Sequence, residues 1–330
     1  MCADIRSAGH NRPMHPSISP LQTGIPAQVL LNPHAQGGHA ANLLPGISTW
    51  LHTHAPGTHL AAPAALADSL ALLRGLPRRS RVVVVGGDGT LNRWLPVFLE
   101  RELTLALVPM GSGNDSARAL GLYGQSWQTA MDHALHAPIQ AVDTGQVNWI
   151  DLQGQAHQAA FLSSLTAGFD SAVGLRALQG PRWLQGLPRY LWATLNELLQ
   201  LRHWNLQVQV DGAAMHQGQA LFASTLNTPS FGSGIPAVPQ ACLNDGHLNM
   251  LWAGPFSRWR ALGMLPRLLM GWHLGHSDIA THAYRQMDIR CAQGVPLAAD
   301  GEYLGTAQSL SVRCCEGNLN TVPRAPNALQ

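Results

Sequence analysis

"RVVVVGGDGTLNRW", Arg81–Trp94, is the stretch whose reading decides the fold. Four consecutive β-branched valines read as a short strand buried on both faces, the habit of a parallel sheet. They run into a glycine-rich turn carrying one acid, Asp88, and one hydroxyl, Thr90, before a helical pattern begins. Such a turn sets backbone amides at the carboxyl end of the strand, where they can face an anion. Asp88 by itself would repel a phosphate. A divalent cation between them removes the conflict, because Mg²⁺ is commonly held by one or two carboxylates together with nucleotide phosphates. Read alone, GGDGT is also open to being merely a tight turn.

The neighbouring sequence narrows that choice. "VPMGSGNDSAR", Val108–Arg118, repeats the arrangement at the end of the next apolar run, with Gly111, Ser112 and Gly113 followed by Asn114, Asp115 and Arg118. Two such loops on adjacent strand ends would form one cleft, which is where open α/β sheets bind ligands. Around them, "PAQVLLNP" and "STWLHT" read as strands, and "AAPAALADSLALLRGL" and "LNRWLPVFLERE" as helices. After about residue 145 the pattern changes. "QAAFLSSLTAGF", "NLQVQVDG", "QALFASTLNT" and "HLNMLWAG" read as strands linked mostly by turns, interrupted by helical stretches near 181–204 and 255–275. The expectation is a loose arm over 1–24, a nucleotide-binding α/β domain over 25–145, and a β-rich domain over 146–330.

Composition excludes several classes. With 46% hydrophobic and 12% charged residues over 330 positions the chain is globular, and a formal charge of +2 offers no basic field for nucleic acid. All 20 basic residues are Arg, so any phosphate must be met by guanidinium, histidine or backbone. The five cysteines show no CxxC spacing, and no run reaches the ~18 apolar residues of a spanning helix. These features predict a cytoplasmic protein. The segments 175–192 and 257–272 interleave Arg with Trp and Leu, a pattern shared by helices that cover a sheet and by helices that rest on a membrane face.

In order along the chain, "NPHAQGG", "GGDGTLN", "PMGSGNDSAR", "TAGFD", "CLNDGHL" and "DGE" resemble the diacylglycerol kinase catalytic-domain family, over about residues 27–313. The resemblance implies an amino-terminal domain like that of NAD kinase and phosphofructokinase, a carboxyl-terminal β-sandwich, and ATP- and Mg²⁺-dependent transfer of a phosphoryl group to a membrane lipid hydroxyl such as that of diacylglycerol. It implies nucleotide contacts from Asn32, from Thr53 as a threonine ending the second strand, from Gly86, Gly87, Asp88, Gly89, Thr90 and Asn92, and from Gly111, Ser112, Gly113 and Asn114. Glu302 would be the general base. Asp88, Asp115 and Asp143 would surround the catalytic metal, and Asp245, with carbonyls from about Cys242 and His247, would hold a structural Mg²⁺. It also implies peripheral contact with the inner membrane face; a homodimer is the default assembly for a soluble enzyme.

The sequence departs from the family pattern at three places. Arg93 follows Asn92 where the family usually has glutamate, Ser116 stands where phenylalanine is common, and the first loop lacks a lysine. Two other readings therefore stay open: a soluble kinase of the NAD kinase type, which shares GGDGT, and an inert lipid- or nucleotide-binding protein, which Arg93 would favour.

Overall fold

The computed structural model describes residues 27–324 apart from 112, 182 and 185, so the expected arm over 1–24 and the Ser112 site lie outside the described residues. Strands β1 (Gln28–Leu31), β3 (Arg81–Gly86) and β4 (Thr104–Pro109) run parallel, and β2 (His59–Ala61) adds to the far edge of β1. Val29 pairs with Val83, and Val83 with Ala106. The four valines alternate between two cores. Val82 and Val84 pack with Trp94, Leu95 and Phe98 of helix α3 (Asp88–Arg101). Val83 and Val85 pack with Ile47 and Leu51 of helix α1 (Leu44–His54) and Met131 of α5 (Trp127–His136). Helices thus cover both faces, the condition that makes a strand apolar at every position. Helices α2 (Leu66–Gly75) and α4 (Asp115–Ala119) complete this half.

One expected strand is a helix. "STWLHT" lies inside α1, because its apolar residues serve a helical period: Ile47 and Leu51, four apart, are the ones buried against the sheet, and Pro45 sits in the first turn. Thr53 is therefore exposed on α1, its hydroxyl donating to the Thr49 carbonyl at 3.2 Å, and does not end the second strand.

The second half is built on a long hairpin, β13 (Gln286–Ala299) and β14 (Glu302–Thr321). Around it lie β5 (Gln140–Asp151), β6 (Ala156–Phe161), β7 (Ser164–Ala167), β8 (Trp204–Val210), β9 (Ala213–Ala220), β10 (Phe222–Leu226), β11 (Leu248–Ala253) and β12 (Ile279–Tyr284). Helices α6 (Phe169–Gln179), α7 (Gly186–Leu199) and α8 (Arg258–Leu269) pack on it. The far end of β14 returns to the first sheet, where Asn320 and Thr321 pair in parallel with Thr104 and Leu105. The sheet is continuous across both halves, and residue 145, expected as a boundary, lies inside β5.

Asp143, on β5, shows what secures that junction. One carboxylate oxygen accepts from the Gly246 amide and the other from the Gly317 amide, each at 2.7 Å, and its own amide donates to the Leu243 carbonyl at 2.6 Å. Burial pushes its carboxyl above the usual range, and Asp245 and Glu316 nearby add to the rise. Its partners are the 243–246 turn and the irregular part of β14, and no described hydrogen bond joins it to the Asp88 loop. Asp143→Ala would leave two amides without an acceptor in a buried site, and we expect a loss of about 2–4 kcal/mol, read as a lower denaturation midpoint with unchanged denaturant slope.

Candidate active site

Loops from the ends of β1, β3 and β4 meet by backbone contact. A Cβ placed on Gly87 would lie 2.7 Å from the Gly111 Cα, and one on Gly86 would strike the Thr90 side chain at 2.8 Å. Only glycine permits this approach. Asn32 ties the first loop to the second, its amide nitrogen donating to the Thr90 hydroxyl at 2.7 Å and its oxygen accepting from the His34 amide at 3.0 Å. Asn114, in the left-handed region at φ 55°, spends its side chain on Gly111, donating to the carbonyl at 2.7 Å and accepting from the amide at 2.9 Å. Asn32, Thr90 and Asn114 therefore shape the cleft through bonds among themselves and the loops. What the loops leave open is backbone, barest at Gly89, where a Cβ would meet nothing nearer than the Glu302 carboxylate at 3.6 Å.

Asp88 opens α3 and crosses to the next loop. Its two carboxylate oxygens accept from the Asp115 and Ser116 amides at 3.0 and 3.1 Å, at the start of α4. Each oxygen retains a lone pair, so the carboxylate can also face a cation. Among the described residues no three His, Cys, Asp or Glu side chains gather as a metal cage. The donors fit Mg²⁺ of the kind that takes one carboxylate and completes its shell with phosphate oxygens and water.

Asp115 points away from that position. It is buried, and its oxygens accept from the Ser230 hydroxyl at 3.0 Å and from the Ser233 and Gly234 amides at 2.9 and 2.8 Å. Burial raises its carboxyl, with Asp88 as a further like charge, while the three donors pull it down. Asp115 thus clasps a turn of the second half onto the phosphate loops. Asn92 forms a second clasp, a long 3.4 Å bond to the Ala299 carbonyl. Asp300, at φ 46°, fixes the β13–β14 turn within the second half, accepting from the Leu162, Ser163 and Ser164 amides at 2.7–2.9 Å, and so is a turn residue.

These clasps aim the β13–β14 turn at α3. Glu302 stands beside the first turn, where a Cβ on Gly89 would lie 3.6 Å from its Oε1. That same oxygen accepts from Arg93 Nη2 at 3.0 Å. The ion pair was not foreseen, because 209 residues separate its members; Arg93 itself, as a departure in a glutamate position, was the signal.

The loop expected to hold a structural metal carries several bonds of its own. The Asp245 carboxylate accepts from the His247 amide at 3.0 Å, the His247 ring contacts the Asp245 carbonyl at 2.8 Å, and Cys242 Sγ donates to Asn244 Oδ1 at 3.1 Å.

Next to the cleft, helices α6, α7 and α8 enclose an apolar pocket against β10 and β11, lined by Phe169, Tyr190, Leu198, Phe231, Met264 and Leu268 among others. Its one acid is Asp170, which accepts from the Ser224 hydroxyl and the Ser171 amide. Composition along the chain did not reveal this pocket, since its walls come from segments scattered between Phe169 and Ile279. A larger concavity, on the polar outer face of β5, β6 and β13, shares no residue with the cleft.

The fold and cleft are those of a two-part phosphotransferase in which a parallel sheet presents glycine loops and a β-rich half supplies an acid. Over 90% of its length the chain superposes on an NAD kinase from Archaeoglobus fulgidus in complex with ATP, covering 93% of it, with TM-score 0.51 at 11% identity. Over 91% it superposes on a diacylglycerol kinase from Bacillus anthracis, covering 97% of it, with TM-score 0.71 at 18% identity. The diacylglycerol kinase catalytic domain matches residues 26–147, and the YegS C-terminal NAD kinase beta sandwich-like domain residues 163–325. The diacylglycerol kinase of Mycobacterium tuberculosis is 30% identical over 222 residues, 67% of this chain and 70% of that one; that of Bacillus subtilis is 26% identical over 75% and 79%. The chain belongs to the diacylglycerol kinase family of lipid kinases.

Burial pushes the Asp170 carboxyl up to about 6, against the pull of its two donors. A carboxyl raised on folding contributes stability below its unfolded value, near 4, and loses it as pH rises to about 6. The stability of wild type relative to Asp170→Asn should therefore fall between those limits and level off above them; a difference flat from pH 4 to 7 in parallel thermal melts would exclude this.

Proposed function

We propose that the protein transfers the γ-phosphoryl group of ATP to the hydroxyl of a membrane lipid of the diacylglycerol type, with Glu302 as general base. The observation that carries this reading is the delivery of Glu302 to the first turn of α3, beside Gly89 and in the same turn as Asp88. In that position the carboxylate takes the proton of the acceptor hydroxyl as the new O–P bond forms and the bond between the γ-phosphorus and its bridging oxygen breaks. Proton removal is a minor part of a loose phosphoryl transfer, so positioning and charge neutralisation dominate. The amides of the glycine loops and the start of α3 cradle the phosphates. Asp88 would hold Mg²⁺, which neutralises the charge between it and the phosphates. The apolar pocket under α8 takes the acyl chain.

Arg93 restrains the base. A guanidinium bonded to Glu302 competes for the lone pair that must accept the proton, and the pair has to open in each turnover. The two side chains are 56% and 35% exposed, so the pair is worth only about 0.2–1 kcal/mol. Arg93→Gln is expected to raise turnover by about two- to fivefold; a fall in rate with an unchanged KM for ATP would remove the restraint from the mechanism.

The decisive measurement is transfer of labelled γ-phosphate from ATP and Mg²⁺ to a panel of lipids in mixed micelles, with NAD as a soluble acceptor. Label is expected in a lipid and lost by at least a hundredfold in Asp88→Ala and Glu302→Gln, about the loss of a positioned acid–base group. Label in NAD would replace the lipid reading by the soluble one. ATP binding without transfer to any acceptor would establish an inert binding protein.

A further inference from the structure

The second half carries an apolar surface that the core does not need. Trp183, Trp259 and Trp272 are 79%, 82% and 70% exposed, and Leu195, Leu199 and Met270 are open to solvent beside them in the chain. Isolated exposed leucines are ordinary, but three large indoles left out of the core are not. Helix α8 shows how they are displayed. At roughly 100° per residue, Ala261, Met264, Leu265 and Leu268 share a face of about 100° that lines the apolar pocket. Trp259, Leu262 and Leu269 occupy the adjoining arc of about 80° and face outward. More than half of the helix is therefore apolar, and within it only Ala261 is buried. Packed against α8, helix α7 presents Leu195 and Leu199, four apart, as a second outward stripe.

The charges around this surface are of one sign. Its two acids are already neutralised, Glu197 by Arg176 and Asp278 by Arg260. Arg202, Arg258 and Arg267 are exposed and carry no ion pair among the described residues. Indoles with an apolar body and a polar edge, flanked by unpaired guanidinium groups, match the boundary between acyl chains and anionic headgroups.

We propose that the outward faces of α7 and α8, with Trp183 and Trp272 at their ends, form the surface by which this protein lies on an anionic lipid bilayer. The surface adjoins the pocket across a single helix, so a lipid leaving the bilayer reaches the pocket without crossing water. The proposal deepens the lipid-kinase reading and rests on it for its purpose, but not for its test.

The full chain is sedimented, without nucleotide, with vesicles of phosphatidylglycerol mixed with phosphatidylcholine and with vesicles of phosphatidylcholine alone. Binding is expected to the mixed vesicles and to fall as salt rises. The double variant Trp259→Ala/Trp272→Ala should bind about tenfold more weakly or worse, and Arg258→Gln/Arg267→Gln should lose the preference for phosphatidylglycerol. Both should keep wild-type melting temperatures and wild-type rates on a short-chain diacylglycerol dissolved as monomer. Wild type left in the supernatant, or tryptophan variants that bind equally, would overturn the surface. So would a wild-type dimer in gel filtration that Trp259→Ala converts to monomer, since a second copy would then be the occupant. Vesicle binding with no phosphorylation of any lipid would retire the kinase reading and leave this one standing.

Discussion

The constraint on which the cleft depends is the approach of Gly87 to Gly111, two backbones at a distance that admits no side chain. From it follows the placement of β3 against β4 at their carboxyl ends, where Met110 donates to the Gly86 carbonyl at 2.7 Å. It also explains why Asp88 can bridge to the amides of Asp115 and Ser116. An alanine at either position would separate the loops and withdraw the carboxylate from its donors. A charged group is thereby held without flexible side-chain support, which suits a site where charge must be met in a fixed direction.

Buried carboxylates hold the second half together and to that junction, beside an apolar seam in which Leu162, Leu243 and Leu319 pack with Trp94 and Phe98. Asp115 grips the 230–234 turn, Asp300 grips residues 162–164, and Asp143 grips the 246 and 317 amides. Each is an anion satisfied by backbone donors, and in each case burial raises the carboxyl despite those donors. Acids that look alike in a sequence thus divide into those that hold the frame and those left for chemistry. In the proposed function Asp88 and Glu302 belong to the second group: Asp88 accepts from two amides and keeps lone pairs, and the Glu302 carboxylate is bonded by Arg93, an exposed side chain.

Arg93 places a cation in the cleft where the family usually has an anion, and it does so without disturbing α3, since its side chain projects from the helix into solvent. No helix among the described residues is long and apolar enough to cross a membrane.

Much of the first sheet was legible from residues alone. Four valines in a row need cover on both faces, and glycines at strand ends need close backbone contact; both are local demands, and both are met. The reading of 48–53 as a strand failed because a six-residue window of alternating character cannot reveal that Ile47 and Leu51 face the same sheet. The backbone partners of Asp143 and Asn114 were not legible for a related reason: the type of a side chain does not say which backbone groups will claim it. The identity of the acids and glycines was determined by the sequence. The assignment of each acid to frame or cleft, the Arg93–Glu302 pair and the pocket under α8 were decided by tertiary structure alone. They depend on which strand ends meet in space, and a long antiparallel hairpin that returns to the first sheet brings together residues some two hundred positions apart.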